Sequence, residues 1–192
     1  MKYLILTLAL ITMSTTHAQN SDLPYYEIPD YPEEFTACTV AARMIDGLGF
    51  RYYWATEGLT EKDLAYKPSE SGRSTDETLD HLYGLSNVIV KAAQKQHIGP
   101  RDEIEMTYEE KRTKTLNNIK TAADILRNST DLSQFTLVFV RGDNKSEFPF
   151  WNNINGPIAD AIWHCGQVVV LRRASGNPFN SKASVFSGKV RN

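Results

Sequence analysis

Cysteine is scarce in this chain. Cys38 and Cys165 are the only two among 192 residues, too few to staple a domain of this size, so a packed core has to hold it together. No Cys-x-x-Cys pair, phosphate-cradling glycine loop or Ser-His-Asp signature is present, which removes the chemistries those motifs carry. Positive charge is not in excess either. Lys and Arg number 21 against 23 Asp and Glu, for a formal net charge of −2. A chain without a basic face is poorly made to neutralise phosphates, so a nucleic-acid partner is not expected.

The one apolar stretch near the start, Tyr3 to Ile11, is too short for a permanent anchor. It follows Lys2 and precedes small residues at Thr16 and Ala18. This is the pattern of a signal peptide over residues 1–18, cut after Ala18. Removing those 18 residues leaves 174 with a formal charge of −3, since Lys2 is the ionised side chain lost. The expectation is an exported protein, periplasmic or secreted, with no permanent membrane anchor.

Residues 19–32, with Pro24 and Pro29, read as an extended arm. Asp30-Tyr31-Pro32-Glu33-Glu34 then resembles a helix start, and apolar residues from Phe35 to Tyr52 keep a helical period. Ser74-Thr75-Asp76-Glu77 and Thr107-Tyr108-Glu109-Glu110 have capping-box spacing. Gly156-Pro157 opens a last helix that Gly176-Asn177-Pro178 closes. The spacing predicts helices near 33–57, 74–94, 107–128 and 157–174. Between the last two, Phe135–Val140 and Glu147–Trp151 alternate around Gly142-Asp143-Asn144, as in a hairpin whose Pro149 keeps the second strand at an edge. Residues 179–192 read as a polar, loosely held tail. The fold expected is all-α, an antiparallel four-helix bundle with a short β-hairpin-like insertion before the last helix.

Within the last helix stands Asp160-Ala161-Ile162-Trp163-His164-Cys165-Gly166-Gln167. Helical spacing puts Asp160, His164 and Gln167 on one stripe with apolar neighbours. Polar groups facing a core need a partner, either hydrogen bonds or a metal ion. Arg172 and Arg173 fit an anionic substrate, but arginines in a helix's last turn are expected from the dipole alone. Tyr52, Tyr53 and Trp54 fit a pocket wall or core packing.

Three segments together resemble the DinB-like helical-bundle family: Gly58-Leu59-Thr60-Glu61-Lys62-Asp63-Leu64-Ala65-Tyr66-Lys67-Pro68, Leu79-Asp80-His81-Leu82, and His164-Cys165-Gly166-Gln167. The similarity covers about residues 33–178. It implies a divalent metal held by three histidines, one from the second helix and two spaced four apart in the last. Carried over, His81 and His164 match, while Asp160 stands where the middle histidine is expected. A carboxylate beside two imidazoles still suits zinc, iron, nickel or manganese; the alternative is a decayed site whose histidines remain as packing residues. Gln167 would orient a ligand from behind. The resemblance implies a hydrolase or thiol-group transferase acting on a small molecule, or a non-catalytic binding or stress-response protein, with a homodimer admitted.

Each cysteine sits in an apolar helical context, where a thiol behaves as a small hydrophobe. Labelling under denaturing conditions without reductant is expected to modify both Cys38 and Cys165. Modification of neither would reveal a disulfide between the first helix and the last.

Overall fold

Paired caps set the helix starts. In a computed structural model that describes residues 23–100 and 105–192, Ser74 and Thr107 each cap a helix in the predicted manner. The Ser74 hydroxyl accepts from the Glu77 amide at 3.0 Å, and the Glu77 carboxylate returns to the Ser74 amide at 2.6 Å. These caps open α3 (Thr75–Ala93) and, through Thr107 and Glu110, α4 (Tyr108–Arg127). Helix α1 (Ala37–Thr56) starts later than expected. The residue that satisfies its first amides is Thr36, through a box with Thr39, so Glu33 and Glu34 remain outside the helix. Short α2 (Glu61–Ala65) follows, then α5 (Phe150–Asn153), a π-helical turn at Ile154–Ile158, and α6 (Ala159–Ser175). Gly176, at φ 101°, closes α6 in the left-handed conformation, as its position foretells. The expected signal peptide, 1–18, and the first residues of the arm lie outside the described residues. Among the described residues no helix is long and apolar enough to cross a membrane.

The expected all-α, antiparallel four-helix bundle is wrong in two respects. Helix α4 runs antiparallel to α1, since Arg112 reaches Thr56 and Arg127 reaches Asp46. It runs parallel to α3, because Lys111 meets Asp76 at 2.6 Å and Asn118 meets Asn87 at 2.9 Å. Two successive parallel helices require the chain to travel back between them. The connection from residue 94 to 107 can do this, reaching about 46 Å when extended against a helix of about 28 Å.

The second correction is the sheet content. β1 (His97–Ile98) lies in that connection and pairs parallel with β2 (Leu137–Arg141), which pairs antiparallel with β3 (Asn144–Phe148) in the order β1-β2-β3. Ile98 and Leu137 pack on Ala92 and make a small core of their own. The β2–β3 hairpin and its Gly142-Asp143 turn match the sequence pattern, but the return strand ends at Phe148: Pro149 is the N-cap of α5, and Phe150 and Trp151 open that helix instead of continuing an edge strand. Strand β1 does not match the pattern, since two residues carry no visible alternation and the partner is remote in sequence. β4 (Ala183–Ser184) and β5 (Lys189–Val190) form a second sheet in the region expected to be a loose tail. The arm holds that sheet: the Ile28 amide donates to the Gly188 carbonyl at 2.9 Å, and Glu27 accepts from the Val190 amide at 3.0 Å. A Cβ at Gly188 would come within 2.4 Å of Ile28, so close approach requires glycine there.

The last turn of α1 is the junction of the bundle. Helix ends leave carbonyls without partners, and α1 has no basic residue in its own last turn. Its neighbours supply the donors. Arg172 of α6, itself buried, bonds the carbonyls of Trp54 and Ala55, each at 3.0 Å. Arg112 of α4 stacks on Tyr53, bonds Thr56 Oγ1 at 3.0 Å and pairs with Glu57, while the Tyr108 hydroxyl donates to the Thr56 carbonyl. Arg172 is therefore committed to the fold, not free for an anionic substrate. Tyr52, Tyr53 and Trp54 are core residues, the last packed on Tyr26 of the arm at 5.2 Å.

Buried Asp63 secures α2 to the end of α6. It accepts from Asn177 Nδ2 at 2.7 Å, from Ser175, and from the Thr60 amide at 2.8 Å. Burial alone would raise its pKa; the hydrogen bonds from Asn177, Ser175 and Thr60 outweigh that and hold it well below the usual carboxylate range. A depressed native pKa contributes stability at pH above the unfolded value, about 3.9, and loses it as pH falls towards the native one. Urea denaturation should show wild-type stability declining below pH ~4. Asp63→Asn should be less stable at neutral pH by about 1–3 kcal/mol and decline less steeply in acid. Equal slopes would contradict the assignment.

Candidate metal centre

Two elements bring the predicted ligands together. The Ser74–Glu77 box sets the phase of α3 and with it His81. The phase of α6 is set at the joint before it. Pro157 has no N–H to give the helical ladder, and Gly156 departs to φ −91°, ψ −105°, so α5 passes through a π turn before α6 resumes. Asp160 then falls in the first turn of α6, with His164 and Gln167 following along the stripe that faces α3.

His81 Nε2 lies 3.0 Å from Asp160 Oδ2, and His164 Nε2 lies 3.3 Å from Asp160 Oδ1. The two imidazole rings meet edge to face, 4.6 Å apart at 85°. One potential ligand atom from each of His81, Asp160 and His164 falls within 4.8 Å of the others, so the group could hold a metal ion. Ligands sharing an ion at about 2.1 Å stand roughly 3.0–3.4 Å apart, which is the separation of both His–Asp pairs. The side chains of His81 and Asp160 are one-third exposed, at 33% and 35%, so the centre opens to solvent between α3 and α6.

Gln167 determines what His164 can do. His164 Nδ1 stands 2.7 Å from Gln167 Oε1, an acceptor, so Nδ1 carries the proton. In the neutral ring Nε2 is then a bare lone pair, and it faces a carboxylate oxygen. Two acceptors at 3.3 Å repel unless a cation lies between them, either a second ring proton or a metal. The sequence-predicted role of Gln167 as an orienting partner thus has a geometric basis.

Asp80, next to His81 in sequence, takes no part. Its carboxylate pairs with buried Lys111 at 2.8 Å, which also pairs with Asp76. This bridge from α4 to α3 holds the helix that carries His81, and nothing in the spacing of Lys111 signals it. Arg173 is exposed at the far end of α6.

No family model matches the chain, and no curated protein or solved structure matches it.

Gln167→Leu keeps side-chain size while removing the acceptor, freeing His164 to exchange tautomers. Zinc or cobalt affinity, measured by competition with a chromogenic chelator, should fall about 10- to 100-fold with helical content unchanged. Unaltered affinity would show that His164 is not oriented by this bond.

Proposed function

We propose that His81, Asp160 and His164 hold one divalent metal ion and that the protein is an exported metal-dependent enzyme acting on a small substrate, by hydrolysis or thiol-group transfer. The observation that carries this reading is His164 held with Nδ1 2.7 Å from Gln167 Oε1 and Nε2 directed at the Asp160 carboxylate, which also meets His81. Zinc, nickel, iron and manganese all accept two imidazoles and a carboxylate. DinB-like membership, suggested by residues 58–68, 79–82 and 164–167, belongs to this proposal, with Asp160 in place of a histidine.

With three protein ligands, such an ion retains open positions and supplies Lewis acidity, lowering the pKa of water towards neutrality and ionising a coordinated thiol. The remaining work belongs to the chain. His81 and His164 provide neutral nitrogens, Gln167 fixes the tautomer of one, and Asp160 supplies the negative charge. The opening between α3 and α6 admits the substrate.

A second reading has support from one fact: Asp160 already offers an oxygen to each imidazole. A proton could then occupy the position of the metal, and the bundle would be a non-catalytic binding or stress-response protein.

Elemental analysis of protein purified without an affinity tag, then loaded and dialysed, separates these readings. About one metal per chain is expected, with none retained by His81→Ala, less by Asp160→Ala, and full retention by Asp160→His. Turnover of activated esters or thiol-transfer substrates by the loaded protein supports the enzyme. Absence of metal from every preparation would leave only the second reading.

A further inference from the structure

Helix α6 turns about 100° per residue, so its faces can be placed around Asp160. Buried Ala161, Cys165 and Val168 lie on one side of the Asp160–His164–Gln167 stripe, and Trp163, Gly166 and Val170 on the other. Trp163 stands about 60° round the helix from Asp160 and about 40° from Gln167. These are its neighbours at i−3 and i+4, with Cβ atoms about 5–6 Å away. A helical side chain leans back over the preceding turn, so the indole leans towards the turn that carries Asp160. It is 79% exposed, and Val170 is 61% exposed. Gly166 sits between them, also exposed. A glycine in mid-helix is less stable than alanine, and neither backbone nor neighbours demand one here: an added Cβ would meet nothing within 4 Å. The fold gains nothing from the missing side chain. A molecule lying against Trp163 gains room.

We propose that Trp163, with Gly166 and Val170, forms the shelf that recognises the substrate, and that the substrate carries a flat, uncharged ring beside its metal-binding group. This rests on the metal reading above and narrows its substrate class. The ion, at His81, Asp160 and His164, would take the polar head. A ring attached one or two bonds away then falls within reach of the indole, which stands on the turn that supplies Asp160. Indole faces favour offset or edge-to-face contact with another ring, beyond what the buried area alone contributes. Charge is excluded on the same grounds: between Asp160 and Arg172 the helix carries no Asp, Glu, Lys or Arg, so nothing on the shelf pairs with an ionic tail. Scattered exposed apolar residues are ordinary. A tryptophan within one helical turn of three convergent ligands, beside a glycine the helix does not need, is a recognition element for what those ligands hold.

Benzohydroxamate and acetohydroxamate share a metal-binding head and differ in the ring. Isothermal titration of each into the zinc-loaded full chain tests the shelf. Benzohydroxamate is expected to bind about 10-fold more tightly. Trp163→Ala should remove that preference, with zinc content and acetohydroxamate affinity unchanged because the side chain is exposed and is not a ligand. Trp163→Phe should keep part of it, and Gly166→Leu, which fills the recess, should weaken benzohydroxamate alone. Equal affinities for the wild-type chain, a preference that survives Trp163→Ala, or indifference to Gly166→Leu would each overturn the shelf and leave the metal reading intact. A wild-type chain that retains no zinc and binds neither hydroxamate would overturn both.

Discussion

The fold turns on the carbonyls at the end of α1. A buried helix end with unpaired oxygens is costly, and here the donors come from two different helices. Arg172 arrives from α6, and Arg112 and Tyr108 from α4. The Arg172 and Tyr108 bonds satisfy backbone carbonyls, Arg112 bonds the Thr56 hydroxyl and the Tyr53 carbonyl, and together they set how far along α1 each neighbour lies. Removing a buried arginine would leave uncapped carbonyls, and the loss is structural before it is functional.

That constraint connects the fold to the candidate centre. With the last turn of α6 tied to α1 and to Asp63, and its first turn set by the Gly156-Pro157 joint, both ends of the helix are fixed. Lys111 holds α3 against α4 from the other side through Asp76 and Asp80. Asp160 and His164 meet His81 across the α3–α6 opening because neither helix has freedom to slide. An arrangement of ligands on rigid, separately anchored helices is what a preorganised metal site needs.

Local signals carried well from sequence to structure, and distant ones did not. Ser74, Thr107 and Gly176 act within a few residues of themselves, so their caps were legible, as was the Gly142-Asp143 turn. The four-residue spacing of Asp160 and His164, and the three further to Gln167, follow from helical geometry alone. Bringing His81 to them required the family resemblance, since periodicity says nothing about which helices face each other. Strand β1 leaves no trace in the sequence because a two-residue strand makes sense only beside β2. The parallel course of α3 and α4 was hidden for a related reason: direction is written in pairs such as Lys111–Asp76, not in either helix. An arginine in a last turn has an ordinary explanation in the helix dipole, which conceals the buried role that Arg172 also has on the α1 carbonyls.

The central claim is that His81, Asp160 and His164 share a metal ion, not merely a proton. Crystals of metal-loaded protein, with anomalous scattering recorded above and below the metal edge, address it directly. The account predicts one strong anomalous peak about 2.0–2.2 Å from Nε2 of both histidines and from a carboxylate oxygen of Asp160, with Gln167 still bonded to His164 Nδ1. Absence of a peak there, with Asp160 hydrogen-bonded to both imidazoles, would contradict it.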